Sequence, residues 1–231
     1  EIHERLVGSE MCIRDRINSQ TPPTEIEQFC DIQYIDDGLW QHRLDVYSKS
    51  GKLSHRPVII DIHGGGWMYG TKEINKNYCL VLAQNDYVVV NINYRLAPDF
   101  SVADQLRDCF FAFKWVSTNI EKYGGDLNNV FVTGDSAGGF LAAYSALLNS
   151  SDKLRKVFGV TESGLEFRAC GLTSPVCFMN THTFQDVYYS RVKGKEFSES
   201  TLRGFENFDA VLNKGSMPPT FLVTSSGDAV G

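Results

Sequence analysis

The stretch Gly134-Asp135-Ser136-Ala137-Gly138-Gly139 determines how this chain is expected to fold. Residues 129–133, directly before it, read NVFVT, a β-branched apolar run typical of a buried strand. After it, apolar residues recur at helical spacing from Phe140 to Leu148. A strand, a Gly-x-Ser-x-Gly turn and a helix in this order predict a nucleophile elbow.

Ser136 is the predicted nucleophile of this GDSAGG motif. Gly134, Gly138 and the small Ala137 would remove collisions around a very tight bend, with Asp135 completing the motif. The serine hydroxyl would stand at a helix N-terminus, where backbone amides stabilise a developing negative charge. The alternative is a glycine-rich strand-to-helix turn with an incidental serine, because the pentapeptide alone is short.

A second glycine motif, His63-Gly64-Gly65-Gly66-Trp67 (HGGGW), follows an apolar run at residues 58–62. Three consecutive glycines are costly unless the backbone must adopt conformations closed to other residues. We predict that the amides of Gly65, Gly66 and Ala137 form an oxyanion hole. The other residues of the motif would support this loop: His63, Gly64 and Trp67. A merely flexible glycine loop is the alternative, which the strand before it and the bulky residues after it make less attractive.

The composition is that of an ordinary α/β domain, with 231 residues, 42% hydrophobic and 22% charged. A net charge of −6 offers no basic face for nucleic acid or an anionic membrane. The longest apolar runs have the length of strands, so no membrane span is expected. Six cysteines without CxxC pairs or histidine clusters argue against a metal site and favour a reduced, cytoplasmic protein.

Apolar runs alternate with amphipathic segments along the chain, which predicts a mostly parallel central sheet with helices on both faces. An aromatic, irregular stretch at about 180–215 is interpreted as a lid insertion, with Ser198 capping a helix that continues to Leu212. The other expected elements are a short helix from Thr24-Glu25, a hairpin turning at Asp37-Gly38, helices at 72–84 and 103–123, and strands at 87–94, 167–178 and 220–224.

Residues 1–16 are not expected to belong to the fold. Leu6 to Asp15 match, codon for codon, the translation of an adapter used in transposase-based sequencing libraries. A segment of this origin is excluded from fold reasoning. The domain is therefore predicted to comprise residues 17–231.

With both glycine motifs and Asn93-Tyr94-Arg95-Leu96-Ala97-Pro98 in place, the chain resembles the hormone-sensitive-lipase-like esterase branch of the α/β-hydrolases (α/β hydrolase fold-3). Members carry His-Gly-Gly-Gly, Tyr-Arg-Leu-Ala-Pro and Gly-Asp-Ser-Ala-Gly-Gly motifs, and all three occur here in order. The resemblance extends from about Asp31 to the end. It implies Ser136 as the nucleophile and the amides of Gly65, Gly66 and Ala137 as the oxyanion hole.

The resemblance also implies a triad acid in a Gly-x-x-Asp pattern after a late strand, which points to Asp228. Ser225 replaces the first glycine of that pattern, so a turn role for Asp228 stays open. The family order is Ser, Asp, His, but the last histidine of this sequence is His182. His42 and His55, which lie near the predicted hairpin, are expected to be exposed. We therefore expect the triad histidine to be absent, the fold to be truncated before its last strand and helix, and the fragment to be inactive.

The family implies hydrolysis of carboxylic esters through an acyl-enzyme, with short-acyl or acetyl esters as small-molecule substrates and no metal or organic cofactor. An amidase such as an arylformamidase would use the same nucleophile and oxyanion hole, so it remains an alternative. A hydrolase fold that binds a ligand without catalysis is a further alternative from another functional class. The sequence does not determine the oligomeric state or the natural substrate.

Overall fold

The structure is a computed structural model that describes residues 22–51, 55–177, 186–199, 202–205 and 207–224. Seven strands in these residues form a single sheet: β1 (Ile26–Gln33), β2 (Arg43–Lys49), β3 (Arg56–Ile62), β4 (Val88–Ile92), β5 (Gly125–Asp135), β6 (Phe167–Thr173) and β7 (Thr220–Val223). Their order across the sheet is β1-β2-β4-β3-β5-β6-β7.

Helices connect most of these strands. The described residues form six α-helices: α1 (Lys76–Gln84), α2 (Val102–Asn119), α3 (Ala137–Asn149), α4 (Asp152–Phe158), α5 (Asp186–Glu199) and α6 (Phe208–Leu212). Short 3₁₀ turns precede α1 at Lys72–Asn75 and follow α2 at Ile120–Tyr123. Gly194 has non-helical backbone angles, and α5 is kinked there.

The strand order reverses at the centre of the sheet. β2 runs antiparallel to both β1 and β4, while β4, β3, β5, β6 and β7 are parallel. The chain leaves β3 toward one edge of the sheet and leaves β5 toward the other. In open parallel sheets, ligands bind outside the carboxyl ends of the strands at such a reversal. Here Ile62 of β3 pairs with Gly134 of β5, so both glycine motifs leave the sheet at this point.

The core lies on both faces of the sheet, as alternation along β4 illustrates. Val89 packs in a smaller apolar cluster with Cys79 and Leu80 of α1 on one face. Val88 and Val90 belong to the larger cluster on the opposite face, which also contains the apolar sides of α2 and α3. This architecture confirms the predicted class, an α/β fold with a mostly parallel central sheet and helices on both faces.

Two predicted local elements are wrong. Thr24 and Glu25 do not begin a helix, because the Glu25 carbonyl accepts a hydrogen bond from Ser50 N (2.7 Å) and strand β1 begins at Ile26. Ser198 does not cap a helix that continues to Leu212, since it lies inside α5 near its end.

A separate short helix, α6, ends at Leu212. Its first residue, Phe208, donates a backbone hydrogen bond to the Cys177 carbonyl (3.0 Å), just beyond β6. Gly204, with φ of 88°, lies in a turn between α5 and α6. The segment therefore turns back toward the sheet, which interrupts the single helix that the pattern suggested.

Candidate active site

Ser136 occupies a strained turn between β5 and α3. Its backbone angles are φ 51° and ψ −117°, a combination that residues other than glycine rarely adopt. The turn is held by hydrogen bonds on both sides. Ser136 N donates to the Thr173 carbonyl (2.9 Å), and the Ser136 carbonyl accepts from Phe140 N (3.1 Å). The surrounding structure thus fixes the serine in a conformation that the residue itself disfavours.

The glycines beside Ser136 are required by close backbone contacts. A Cβ added to Gly134 would collide with the Gly138 carbonyl, and one added to Gly138 would collide with the carbonyls of Ile62 and His63. The first turn of α3 therefore packs directly on the end of β3. This packing brings the elbow next to the start of the HGGGW loop.

The glycine loop uses backbone conformations that only glycine adopts at little cost. Gly65, Gly66 and Trp67 have successive φ values of 119°, 56° and 62°. A Cβ on Gly65 would collide with the Tyr69 carbonyl. The Gly65 carbonyl accepts hydrogen bonds from Met68 N and Tyr69 N, both 3.1 Å long. The loop is a tight reverse turn rather than a flexible linker.

The side chain of Asp135 connects the two motifs. Its Oδ1 accepts hydrogen bonds from Gly64 N (2.9 Å) and from Asn75 Nδ2 (2.9 Å). The carboxylate also packs so closely on Gly64 that a Cβ there would collide with Oδ2. The residue before the serine thus holds the beginning of the glycine loop, and the structure brings both motifs to the same edge of the sheet.

His63 supports the loop from beneath and is fully buried. Its ring stacks on Tyr94 with centroids 4.4 Å apart, and its Nδ1 donates to the Gly64 carbonyl (2.6 Å). The Tyr94 hydroxyl donates to the His63 carbonyl (2.8 Å). This tyrosine belongs to the Tyr-Arg-Leu-Ala-Pro stretch, so the third motif supports the loop formed by the first.

Trp67 anchors the other end of the loop. The side chain is 1% exposed and contacts Phe140 of α3 and Tyr189 of α5 edge-on. Its carbonyl accepts hydrogen bonds from Ala97 N (2.9 Å) and from the side-chain amide of Gln105 (2.9 Å). Trp67 therefore ties the loop to three different elements, which compensates for the unfavourable φ at a bulky residue.

The predicted triad acid, Asp228, lies outside the described residues, as do His182 and residues 1–16. The predicted lid at about 180–215 lies inside them only in part, because 180–185, 200, 201 and 206 are not described. The structure therefore brings together Ser136, its flanking glycines and the HGGGW loop, without assigning a position to Asp228.

Of the histidines that precede the elbow, His42 was expected to be exposed, and this is wrong. The side chain is buried, with Nδ1 2.7 Å from Asp37 Oδ2 and Nε2 3.2 Å from Asp108 Oδ1. Burial lowers the pKa of His42, but the two carboxylates raise it by more than burial lowers it. The pKa is therefore above its usual value. His55 is exposed, as expected.

Two residues of this site were missed in the sequence. Asn75 lies in the 3₁₀ turn and bridges Asp135 to Asp61, a buried carboxylate of β3. Asp61 could have been found, because a charged residue inside the apolar run at 58–62 is unusual in a buried strand. Asn75 had no comparable signal, since asparagine is ordinary in a polar turn.

A central parallel sheet with a serine at a strained strand-to-helix turn defines the class as an α/β-hydrolase fold. The BD-FAE family model matches residues 44–193, which is more than half of the chain. The chain belongs to this BD-FAE family, in the hormone-sensitive-lipase-like esterase branch of the α/β-hydrolases.

Similar proteins include several esterases. Esterase B from Lactobacillus rhamnosis, solved with a tributyrin phosphonate inhibitor, is 30% identical in sequence and superposes with a TM-score of 0.88. This alignment covers 99% of the present chain and 75% of the esterase B chain. Isoprenylcysteine alpha-carbonyl methylesterase of Arabidopsis thaliana is 28% identical over 198 residues, 81% of this chain and 46% of that protein. Versiconal hemiacetal acetate esterase of Dothistroma septosporum is 36% identical over 112 residues, 48% of this chain and 33% of that protein.

The chain spans less than half of the length of these two curated relatives. Within the ranges that the structure describes, no helix is long and apolar enough to cross a membrane. Across those same ranges, no group of three or more His, Cys, Asp or Glu side chains is placed to hold a metal ion.

Proposed function

We propose that this protein hydrolyses carboxylic esters through an acyl-enzyme formed on Ser136. The observation that carries the proposal is the strained Ser136 backbone, φ 51° and ψ −117°, held at the N-terminus of α3 beside the glycine loop. Strain of this kind persists where the surrounding structure imposes it and clusters at active sites. A serine presented this way can attack an ester carbonyl without steric hindrance from its own turn.

In this proposal the amides of Gly65, Gly66 and Ala137 stabilise the oxyanion that forms on attack. Support comes from the positive φ values of the two glycines and from the position of Ala137 at the start of α3. Removing one such donor typically lowers the rate about 10²–10³-fold. Water then cleaves the acyl-enzyme and regenerates the serine.

We propose Asp228 as the triad acid, orienting a histidine that takes the proton from Ser136. The five histidines of this sequence all precede Asp228, whereas the family order requires one after it. The base is therefore proposed to lie outside these 231 residues, and the isolated 231-residue chain is expected to turn over esters poorly. The gene sequence following Gly231 tests this directly, and a product lacking a later histidine would contradict it.

Small esters with short acyl groups are the proposed substrates. The names of the relatives support this, since one acts on an acetate ester and esterase B was inhibited by a tributyrin phosphonate. We propose in addition that residues 180–215 form a lid over the site. The edge-on contact of Tyr189 in α5 with Trp67 of the glycine loop supports a position close to the serine.

The test uses the full-length product of the gene and a matched Ser136→Ala variant. We expect hydrolysis of p-nitrophenyl acetate and butyrate to exceed that of a long-chain ester, and the variant to lose at least about 10³-fold of the rate. A fluorophosphonate should add to Ser136, as mass spectrometry of the labelled peptide would reveal. Faster hydrolysis of p-nitroacetanilide than of the esters would indicate an amidase. If the protein binds an ester without hydrolysing it, and the fluorophosphonate does not add to Ser136, the protein would be a receptor.

A further inference from the structure

Asp61 is a buried carboxylate that the proposed chemistry does not use. It lies in β3, two residues before the HGGGW motif, and is 1% exposed. Ile60 and Ile62 on either side belong to the larger apolar cluster, so Asp61 points to the opposite face, beneath α1. A charge buried in this way is costly unless neighbouring groups compensate it.

Asn75 provides that compensation and reaches the elbow at the same time. Its Nδ2 donates one hydrogen bond to Asp61 Oδ2 (2.9 Å) and one to Asp135 Oδ1 (2.9 Å). The same Asp135 oxygen accepts the amide of Gly64 (2.9 Å). The contacts form a continuous path from β3, through the turn before α1, to the residue preceding Ser136 and the first glycine of the loop.

We propose that Asn75 and Asp61 are positioning residues that hold the glycine loop against the nucleophile elbow through the carboxylate of Asp135. Their consequence for catalysis rests on the proposed function, whereas their consequence for the loop does not. Asn75 limits the orientation of the Asp135 carboxylate, and Asp61 limits the orientation of Asn75. The Gly64 amide is then fixed relative to Ser136. The position of this amide in turn restricts where the amides of the next two glycines can lie.

Asp61, Asn75 and the carboxylate of Asp135 form a hydrogen-bonded brace. The groups that face Asp61 allow this brace to persist across a range of pH. The pKa of Asp61 is raised to about 7, with burial as the main cause. The charge of Asp135 in β5 also raises this pKa, whereas the hydrogen bonds from Asn75 and from the Cys79 thiol of α1 lower it. Tyr78 of α1 is also near this carboxylate. A carboxyl group protonated on Oδ1 still accepts at Oδ2, so Asn75 retains its partner in either state.

The loop itself supplies the first test, in the full-length gene product. Asn75→Ala removes both hydrogen bonds, while Asn85→Ala, at the other end of α1, removes one exposed bond to the Val81 carbonyl and is the matched control. We expect amide hydrogen exchange of Gly64 to accelerate at least about 10-fold in the first variant and to be unchanged in the second. Equal exchange in the two variants would overturn the proposal.

A conservative substitution separates positioning from general destabilisation. Asp61→Asn keeps an oxygen acceptor for Asn75, whereas Asp61→Ala removes it. We expect Asp61→Asn to retain the slow Gly64 exchange and Asp61→Ala to lose it by about the same factor as Asn75→Ala. Rapid exchange in both Asp61 variants, or in neither, would overturn the role of Asp61.

Steady-state kinetics supply the second test. The concentration of active enzyme in each variant is measured by titrating the reactive serine with a phosphonate. Misplacing an oxyanion donor weakens transition-state binding more than substrate binding, so kcat per titrated site should fall about 10–100-fold in Asn75→Ala with KM within about twofold. A merely structural asparagine would lower the titrated fraction and leave kcat equal to that of Asn85→Ala, which would overturn the catalytic consequence.

The two proposals fail in different ways. If Ser136→Ala leaves ester hydrolysis unchanged, the proposed function fails, and the exchange of Gly64 still decides the brace. If Ser136→Ala abolishes hydrolysis and Asn75→Ala matches its control in both exchange and kcat, the function stands and the brace fails.

Discussion

The elbow region, formed by residues 62–67 and 134–139, differs in construction from the ion-pair region around Lys72 near β1 and β2. Both contain buried residues, and both lie at the same end of the sheet. The elbow region is shaped by backbone contacts so close that a methyl group on Gly65 or Gly138 would collide with a carbonyl. The ion-pair region is held by charged side chains instead.

Lys72 is the centre of the ion-pair region and is 2% exposed. Its Nζ lies 3.0 Å from Asp31 Oδ1 and 3.0 Å from Asp45 Oδ1, and it also pairs with Glu73. The other oxygen of Asp45 accepts from the Tyr47 hydroxyl (2.6 Å). Substitution here removes electrostatic partners without creating a steric collision.

The difference indicates how each region responds to change. Where backbone conformation fixes the proposed reacting groups, adding a single atom alters the geometry, and a displacement of about 1 Å can cost about 10²-fold in rate. Where charges hold the scaffold, removing Lys72 leaves the buried carboxylate of Asp45 without its cation and lowers stability, with the proposed reacting groups still in place.

The largest effect is expected for Gly65→Ala, compared with Gly38→Ala. Both glycines have positive φ, 119° and 79°, but an added Cβ collides with the Tyr69 carbonyl at Gly65 and meets nothing within 4 Å at Gly38. We expect ester turnover per folded molecule to fall about 10²-fold or more in the first variant. The Gly38 variant should lose only about 1 kcal/mol of stability. Full turnover in Gly65→Ala would contradict the backbone-controlled geometry.

Next is Lys72→Met, compared with Lys49→Met. Lys72 faces the buried carboxylate of Asp45, whereas the Nζ of Lys49 lies 3.7 Å from Oδ1 of the exposed Asp86. We expect the free energy of unfolding to fall by about 3–5 kcal/mol in the first variant and by about 0–1 kcal/mol in the second. Urea unfolding measures both. A difference below about 1 kcal/mol between them would show that the ion pairs contribute little.

A smaller, pH-dependent effect concerns Asp61 of β3, which Asn75 connects to Asp135 of the elbow region. The folded pKa of Asp61 is about 7, against an ordinary value of 3.8. Between these values the folded state binds more protons than the unfolded state, so this group makes the protein less stable as pH rises. We expect Asp61→Asn to gain about 2–4 kcal/mol relative to the parent between about pH 4 and pH 8, measured by urea unfolding. A constant difference would contradict the buried carboxylate.

The smallest effect concerns His42, beside β2. Its carboxylate partners raise its pKa, so the stability it contributes is complete below the unfolded pKa and is lost as pH rises through the folded pKa. His42→Gln should therefore differ most from the parent at acidic pH and converge with it at higher pH, by less than the Asp61 effect. The exposed His55→Gln is the control, and urea unfolding at several pH values measures both. Parallel pH curves for parent and His42→Gln would refute the ion pair.

Much of the fold could be predicted because its signals are local. The apolar run at 58–62 and the helical spacing after Gly139 fix a strand and a helix on either side of the two glycine turns. The motifs themselves indicate where the backbone must bend sharply, since only glycine meets that need at low cost. Roles that depend on position, such as those of Ser136 and Asp228, remain proposals.

The sequence by itself determined the elements, the two glycine turns and the residues that could react. Only the tertiary structure decided which of them meet. The hydrogen bond from Gly64 to Asp135 joins residues 71 positions apart, and it exists because β3 and β5 became neighbours in the sheet. The burial of His42 and the bridge made by Asn75 have the same origin. Periodicity reports the environment along one segment, whereas a hydrogen-bond partner is set by the packing of segments that are distant in the chain.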